Sequence, residues 1–188
     1  MRGGCYLKKY TVGVLGNSAL LVELLLRSGI EEIRVASERV SVEESKIDPL
    51  IPESMIGETL ESFCFSKPER VRVFEDIVEA SKSCDILIDC GFREEGAKMA
   101  KRLGIPYVTE PEVTVHLPEG LSYEELQFSE RVSSALEYGM IRLLQASETI
   151  RCLKGGELPV LSPEALKVDG ERGEIKRVSL LRGSSGVL

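Results

Sequence analysis

The sequence has no apolar run approaching the roughly 20 residues that a membrane-spanning helix needs, and residues 1–10 are too polar to read as a signal peptide. A cytoplasmic protein with no membrane partner is the expectation. Its five cysteines, Cys5, Cys64, Cys84, Cys90 and Cys152, are odd in number, scattered, and never spaced as CxxC. That pattern argues against a disulfide framework and against a structural zinc site. Positive charge is also short: 24 Lys and Arg stand against 31 Asp and Glu, a formal net charge of -7, so nucleic acid is not an expected partner. There is one histidine, His116, in an alternating apolar stretch where a lone imidazole more often serves as a hydrogen-bonded structural group than as a base. Internal repeats and low-complexity blocks are absent.

What is there is an ordinary globular composition, 43% hydrophobic and 29% charged, on 188 residues. That length supports one domain with a proper core, expected over residues 1–182 with 183–188 as a flexible tail.

The most informative stretch is residues 10–30, YTVGVLGNSALLVELLLRSGI. Residues 11–15 form a short apolar run with β-branched side chains, Gly16-Asn17-Ser18 is turn material, and residues 19–26 are apolar at helical length. Ser28-Gly29 stops the helix, and a second apolar strand follows at 33–36. This is a βαβ unit, whose strands are parallel with a right-handed crossover. In such units a nucleotide phosphate sits on the turn after the first strand, where the helix N-terminus offers unpaired amides and partial positive charge. The glycine pattern of those turns, GxGxxG, is present in part as Gly13-Val14-Leu15-Gly16-Asn17-Ser18.

Residues 40–58 are polar, contain Pro49 and Pro52, and show no helical or strand period, so a long loop is expected at the C-terminal end of the second strand, where α/β proteins place binding groups. Residues 56–65 read as a short helix, 70–74 as a strand, 75–82 as a helix, and 85–90 (DILIDC) as a parallel strand buried on both faces. An amphipathic helix at 93–103 is stopped by Gly104, and strands are expected at 106–109 and 113–116. Residues 129–154 keep a helical apolar period throughout, ended by Gly155-Gly156. Two short strands, 165–168 and 175–181, flank the turn residues Asp169-Gly170 and form a hairpin. The expected fold class is α/β: a Rossmann-like, doubly wound, mainly parallel sheet flanked by helices, followed by a long C-terminal helix and a β-hairpin.

Several stretches resemble the ThiF/MoeB/HesA family, the ubiquitin-activating-enzyme-like adenylyltransferases. LQASETIRCLKG (144–155) resembles that family's LQAxEAIKxLxG helix, and ALKVDG with IKRVSLLR resembles its closing hairpin. SGIEEIRV, IGET, CDILIDC and EVTVHLP match its AGVGxIxLVD, VGKPK, YDLVVDAxDN and GxVxVxxP segments, in the family's order. The resemblance implies a protein that adenylates a carboxylate. ATP would lie over the glycine turn, with an acidic residue after strand two on the ribose, and an asparagine, an arginine and a lysine on the phosphates. An aspartate after strand four would help place magnesium. In this sequence the ribose aspartate aligns with Ser37, with Glu38 one residue on. The asparagine aligns with Lys46, the arginine with about Pro49, the lysine with Leu60 and the later aspartate with Phe92. The family's zinc-binding CxxC pairs are missing, and residues 117–128 contain no cysteine for a thioester. Among shorter relatives the pattern is most similar to the HcgE-like proteins of iron-guanylylpyridinol cofactor synthesis, which lack the same features.

The candidate binding residues are therefore Gly13, Gly16, Asn17 and Ser18 on the turn, Ser37, Glu38, Arg39 and Lys46 after strand two, and Asp89, Cys90 and Gly91 at the end of the fourth strand. Each has a plainer reading: packing glycines, solvated loop charges, an aspartate accepting amides of the next turn, a cysteine filling space. Catalytic residues are not assigned. Three functions stay open. The first is an ATP- and magnesium-dependent adenylyltransferase acting on a small-molecule carboxylate or a small acceptor protein. The second is a non-catalytic pseudoenzyme or binding module of the same fold. The third is an NAD-dependent dehydrogenase, with Glu38 on the ribose. A homodimer is expected, because the helix over 132–153 is longer and more apolar than a small sheet needs.

Overall fold

The first strand, β1 (Thr11–Leu15), is buried at four of its five positions, as a central parallel strand covered on both faces must be. In the computed structural model, which describes residues 10–120, 123–129, 134–155 and 157–181, it lies inside a six-stranded sheet of order β3-β2-β1-β4-β5-β6. The other strands are β2 (Glu32–Ala36), β3 (Val71–Phe74), β4 (Ile86–Asp89), β5 (Tyr107–Val108) and β6 (Val115–His116). All neighbours are parallel except β5 and β6. The architecture is thus α/β and Rossmann-like. Strand order reverses direction between β1 and β4, and in such sheets the crevice outside the strand ends at that point is where ligands bind.

Helix α1 (Ala19–Arg27) follows β1 and buries Leu21, Val22, Leu25 and Leu26 in the main core. Gly29 takes a positive φ of 93° just beyond its end, as the Ser28-Gly29 stop signal requires. On the same face of the sheet runs α5 (Ala135–Lys154), which packs against α1 and touches β4, β5 and β6. The other face carries α3 (Ile77–Ser81), over β1 and β2, and α4 (Arg93–Leu103), over β4 and β5. After α5 the chain makes the hairpin β7 (Glu164–Asp169) and β8 (Glu174–Ser179). Here the connecting residues hold Gly173 at φ 65°.

The hairpin also closes the sheet. The outer edge of β6 and the residues before it are hydrogen-bonded to the C-terminal chain: Val115 N–H donates to Val160 O at 2.8 Å, and Val113 and Leu166 exchange two bonds of 2.8 Å.

Three expectations change. Residues 40–58 are not a plain loop, because α2 (Val42–Ile47) lies within them. None of its residues is buried, so it has no apolar period. It is held by a capping box, with Ser41 Oγ accepting from Glu44 N–H and the Glu44 carboxylate accepting from Ser41 N–H. The short helix read at 56–65 is instead a single tight turn, Leu60–Ser62, which buries Leu60; a similar turn, Glu53–Met55, precedes it and buries Met55. The long helix begins at Ala135, not at 129, because Ser134 is extended and its Oγ caps Glu137 N–H. Residues 130–133 and 182–188 lie outside the described residues.

The polarity of α5 differs from its sequence period as well. Its buried residues include Tyr138, Arg142, Gln145, Glu148 and Thr149, whereas Leu136 and Leu143 are 61% and 56% exposed. Among the described residues no helix is long and apolar enough to cross a membrane.

Candidate functional site

The crevice begins where the ends of four strands, β1 to β4, are stitched together by three bonds. Gly16 N–H donates to Ala36 O at 2.9 Å, Cys90 N–H to Leu15 O at 2.7 Å, and Ser37 N–H to Phe74 O at 2.8 Å. Gly16 has φ +116°, and a Cβ there would lie 2.0 Å from the Cys90 carbonyl oxygen. Its glycine identity is therefore required by the close approach of β1 and β4. Gly13 lies within β1, where a Cβ would meet Leu87 Cδ2 at 2.4 Å. For both glycines the packing role read from the sequence is present.

Ser18 is the N-cap of α1, its Oγ accepting from Leu21 N–H at 3.3 Å. The next free amide of that helix end, Leu20 N–H, donates to Asp48 Oδ2 at 3.2 Å. Asp48, at the C-terminal end of α2, is 1% exposed. Tyr138 of α5 joins them, with its Oη 2.9 Å from Asp48 Oδ2 and 2.7 Å from Ser18 Oγ. A carboxylate only accepts and a phenol has one proton, so Tyr138 donates to Asp48 and the serine proton completes the other contact. The place where a helix N-terminus would attract an anion thus holds a carboxylate of the chain itself. Burial raises the Tyr138 phenol further above its ordinary range, against the nearby Arg142, so it stays a donor.

Beside this lies a second closed contact. Ser37 Oγ–H donates to Asn17 Oδ1 at 2.8 Å, and the same oxygen accepts from Leu60 N–H at 2.9 Å. Asn17, Ser37 and Leu60 are 4%, 1% and 0% exposed. The positions that the family resemblance gives to the ribose acid and the phosphate lysine are here bonded to each other.

On the β4 side, Asp89 is fully buried. Its Oδ1 accepts from Gly91 N–H (3.0 Å) and Arg93 N–H (2.9 Å), the amide-accepting role, while Oδ2 has no hydrogen-bond partner among the described residues. Burial, and next the Glu110 carboxylate, raise its pKa to about 7, with those amides and Arg142 pulling the other way. Arg142 Nη1 reaches Glu110 Oε2 at 2.5 Å and Gln145 Oε1 at 2.6 Å, and its guanidinium stacks 4.3 Å above the Tyr138 ring. Gln145 in turn donates to the Asp89 backbone carbonyl at 2.7 Å. Cys90 is buried and its thiol is driven far up by desolvation, so it is not a thiolate nucleophile in this state.

The structure therefore brings Gly16, Asn17, Ser18, Ser37, Asp89 and Cys90 to one crevice, with Gly13 behind it in β1. Glu38, Arg39, Lys46 and Gly91 are exposed. Arg39 donates to the Gly57 carbonyl at 2.8 Å. Asp48, Glu110, Tyr138, Arg142 and Gln145 escaped the sequence reading. Among the described residues no group of three or more His, Cys, Asp or Glu is arranged to hold a metal ion.

No protein-family profile and no curated protein sequence matches the chain. Solved structures do. The crystal structure of E. coli MccB with ATP matches with a TM-score of 0.74 at 15% identity, over 95% of this chain and 66% of MccB. MccB with AMPCPP and MccA gives 0.71 at 14% identity, over 95% and 66%. PaaA gives 0.70 at 14% identity, over 93% and 74%. The chain spans just under two thirds of the length of MccB. The likeness to HcgE-like proteins finds no counterpart among these matches. MccB and PaaA are ThiF/MoeB-like proteins, and the fold of this chain is theirs.

Proposed function

We propose that this chain is a non-adenylating member of the ThiF-like fold, a pseudoenzyme or binding module whose nucleotide crevice is closed by its own side chains. The observation that carries the reading is the Asp48 carboxylate on Leu20 N–H and Tyr138 at the N-terminus of α1. Like charges about 4 Å apart at an effective dielectric of about 20 repel by about 4 kcal/mol, so a phosphate at that helix end meets an opposing term of that order. Leu60 and Phe92, at positions the family gives to a lysine and an aspartate, add no charge to handle one. The proposed partners are a small-molecule carboxylate or a small acceptor protein, as the MccB complex with MccA suggests by fold. A second copy of the chain, a cytoplasmic setting and a role in cofactor synthesis belong to the same proposal. The apolar strip of α5 that faces outward, with Leu136 and Leu143, supports the dimer.

One observation favours a second reading, ATP- and magnesium-dependent adenylation. Asp48 is presented by α2, none of whose own residues is buried. A helix held this lightly can move aside and leave the α1 amides to a phosphate.

Titration calorimetry with ATP and magnesium, repeated with NAD, separates the two. The wild type is expected to bind neither, and to show no ATP-pyrophosphate exchange with small carboxylates. Asp48→Asn is expected to gain weak nucleotide binding. Micromolar ATP binding together with exchange in the wild type overturns the pseudoenzyme reading.

A further inference from the structure

A cavity of about 190 Å³ lies on the opposite side of the sheet from α5, between α4, the β5–β6 edge and the turn Tyr123–Glu125. Its origin is topological. Helices α3 and α4 cover β1, β2, β4 and β5 on that face, and beyond α4 the turn Tyr123–Glu125 packs against the helix. The walls are aliphatic and aromatic, from Ala97, Ala100, Ile105, Tyr107 and Tyr123. The Tyr123 ring is held by stacking on Phe128, with centroids 4.8 Å apart, and stands edge-on to Tyr107 at 6.5 Å.

Two polar groups in this lining are unmatched. His116, 7% exposed, lines the cavity with a buried Nδ1 that has no hydrogen-bond partner among the described residues. Lys101, exposed at the mouth, forms no ion pair among the described residues. Its neighbour Lys98 is already engaged by Glu94 and Glu124. Desolvation, and next the Lys101 charge, hold His116 below its ordinary pKa, so the imidazole is neutral near pH 7 and offers one hydrogen bond without adding a charge. A buried polar atom left without a partner is costly, and a matching group on a ligand recovers that cost.

We propose that this cavity binds a small aromatic carboxylate, its ring between α4 and Tyr123, its carboxylate on Lys101, and a second polar group on His116 Nδ1. Several waters of about 30 Å³ each would also fit the volume, but the walls give them few partners. A flat apolar body matches those walls; of the two glutamates and two lysines around the opening, Glu94 and Glu124 both contact Lys98, so Lys101 is the cation left to meet an anion. The site lies away from the α1 N-terminus and does not depend on the reading of the nucleotide crevice.

His116 is the only histidine in the sequence, so protein labelled with ¹⁵N-histidine reports on this cavity alone. The probes are 4-hydroxybenzoate and its neutral isostere 4-hydroxybenzamide. The acid is expected to shift the imidazole resonances saturably, and at least about tenfold more tightly than the amide. Lys101→Met, at an exposed position, is expected to remove about tenfold of the acid's affinity while leaving the amide's unchanged. Ala97→Leu, which narrows the cavity, is expected to weaken both. No saturable shift with the acid up to about 10 mM, equal binding of acid and amide, or indifference to Lys101→Met would each overturn the proposal.

Discussion

Tyr138 and Asp48, 90 positions apart in the chain, meet with Oη 2.9 Å from Oδ2 over the N-terminus of α1. The contact joins three helices. The long C-terminal helix supplies the donor, the lightly held α2 supplies the acceptor, and α1 supplies the amide that shares it. A carboxylate so buried is tolerable because three donors face it: Tyr138 Oη and Leu20 N–H, at the helix end, on Oδ2, and Leu50 N–H on Oδ1 at 3.0 Å.

Tyr138→Phe is therefore expected to cost about 1–3 kcal/mol, since Asp48 keeps only Leu20 N–H as a donor for that oxygen. Urea unfolding of Tyr138→Phe, Asp48→Asn and the double variant checks it. The expected outcome is a coupling energy of about 1 kcal/mol or more, and strict additivity would mean the two groups do not interact in solution.

Asp89 gives a pH signature. With a folded pKa near 7 and an unfolded value of about 3.9, the native state holds a proton that the unfolded chain has released between those limits. Stability contributed by this residue thus falls as pH rises from about 4 to 7 and is level above that. Denaturation profiles of wild type and Asp89→Asn across that range should converge at the acid end and separate toward neutrality, the variant being relatively more stable. A constant difference across the range contradicts the assignment.

The two glycines of β1 and its turn should respond unequally to alanine. At Gly16 the new Cβ meets a backbone carbonyl at 2.0 Å and the residue has φ +116°. At Gly13 the nearest atom is the end of a leucine side chain at 2.4 Å. Gly16→Ala is expected to cost more than about 3 kcal/mol or to prevent folding, and Gly13→Ala about 1–3 kcal/mol. Melting temperatures of the two variants give the ranking directly.

The outward strip of α5 predicts a homodimer at tens of micromolar by light scattering. Leu143→Asp, at a position already 56% exposed in the single chain, should convert it to a monomer without loss of helix content by circular dichroism. A wild-type monomer under the same conditions removes the basis for the dimer.

The parts of the fold that were legible are those with local signals. The β1-turn-α1-β2 unit reads from contiguous apolar runs and a stop glycine, α4 from its period and Gly104, and the hairpin from its turn residues. Helix α2 has no hydropathy signal, being a six-residue helix with no buried side chain. Its one signal, Ser41 followed three residues later by Glu44, is a capping box and was there to be found. The crevice was half legible. Turn and strand-end residues could be named from the βαβ pattern, but Asp48, Tyr138 and Arg142 reach it from segments whose separation is set by tertiary packing. On α5 several polar residues go inward beside Ile141 and Ala146, while Leu136 and Leu143 of the apolar period face out, which periodicity alone does not show.

The closure of β6 by Val160 and Ser162 has a consequence for biosynthesis. Chains emerge N-terminus first, so all six strands of the main sheet leave the ribosome before the segment that seals the sixth. Until then β6 presents unpaired amides and carbonyls, a template for adventitious pairing with another nascent chain. The last hairpin acts in this sense as a built-in guard against self-association. A truncation after Gly155 is expected to express mainly as insoluble aggregate, even though every strand of the sheet is still encoded.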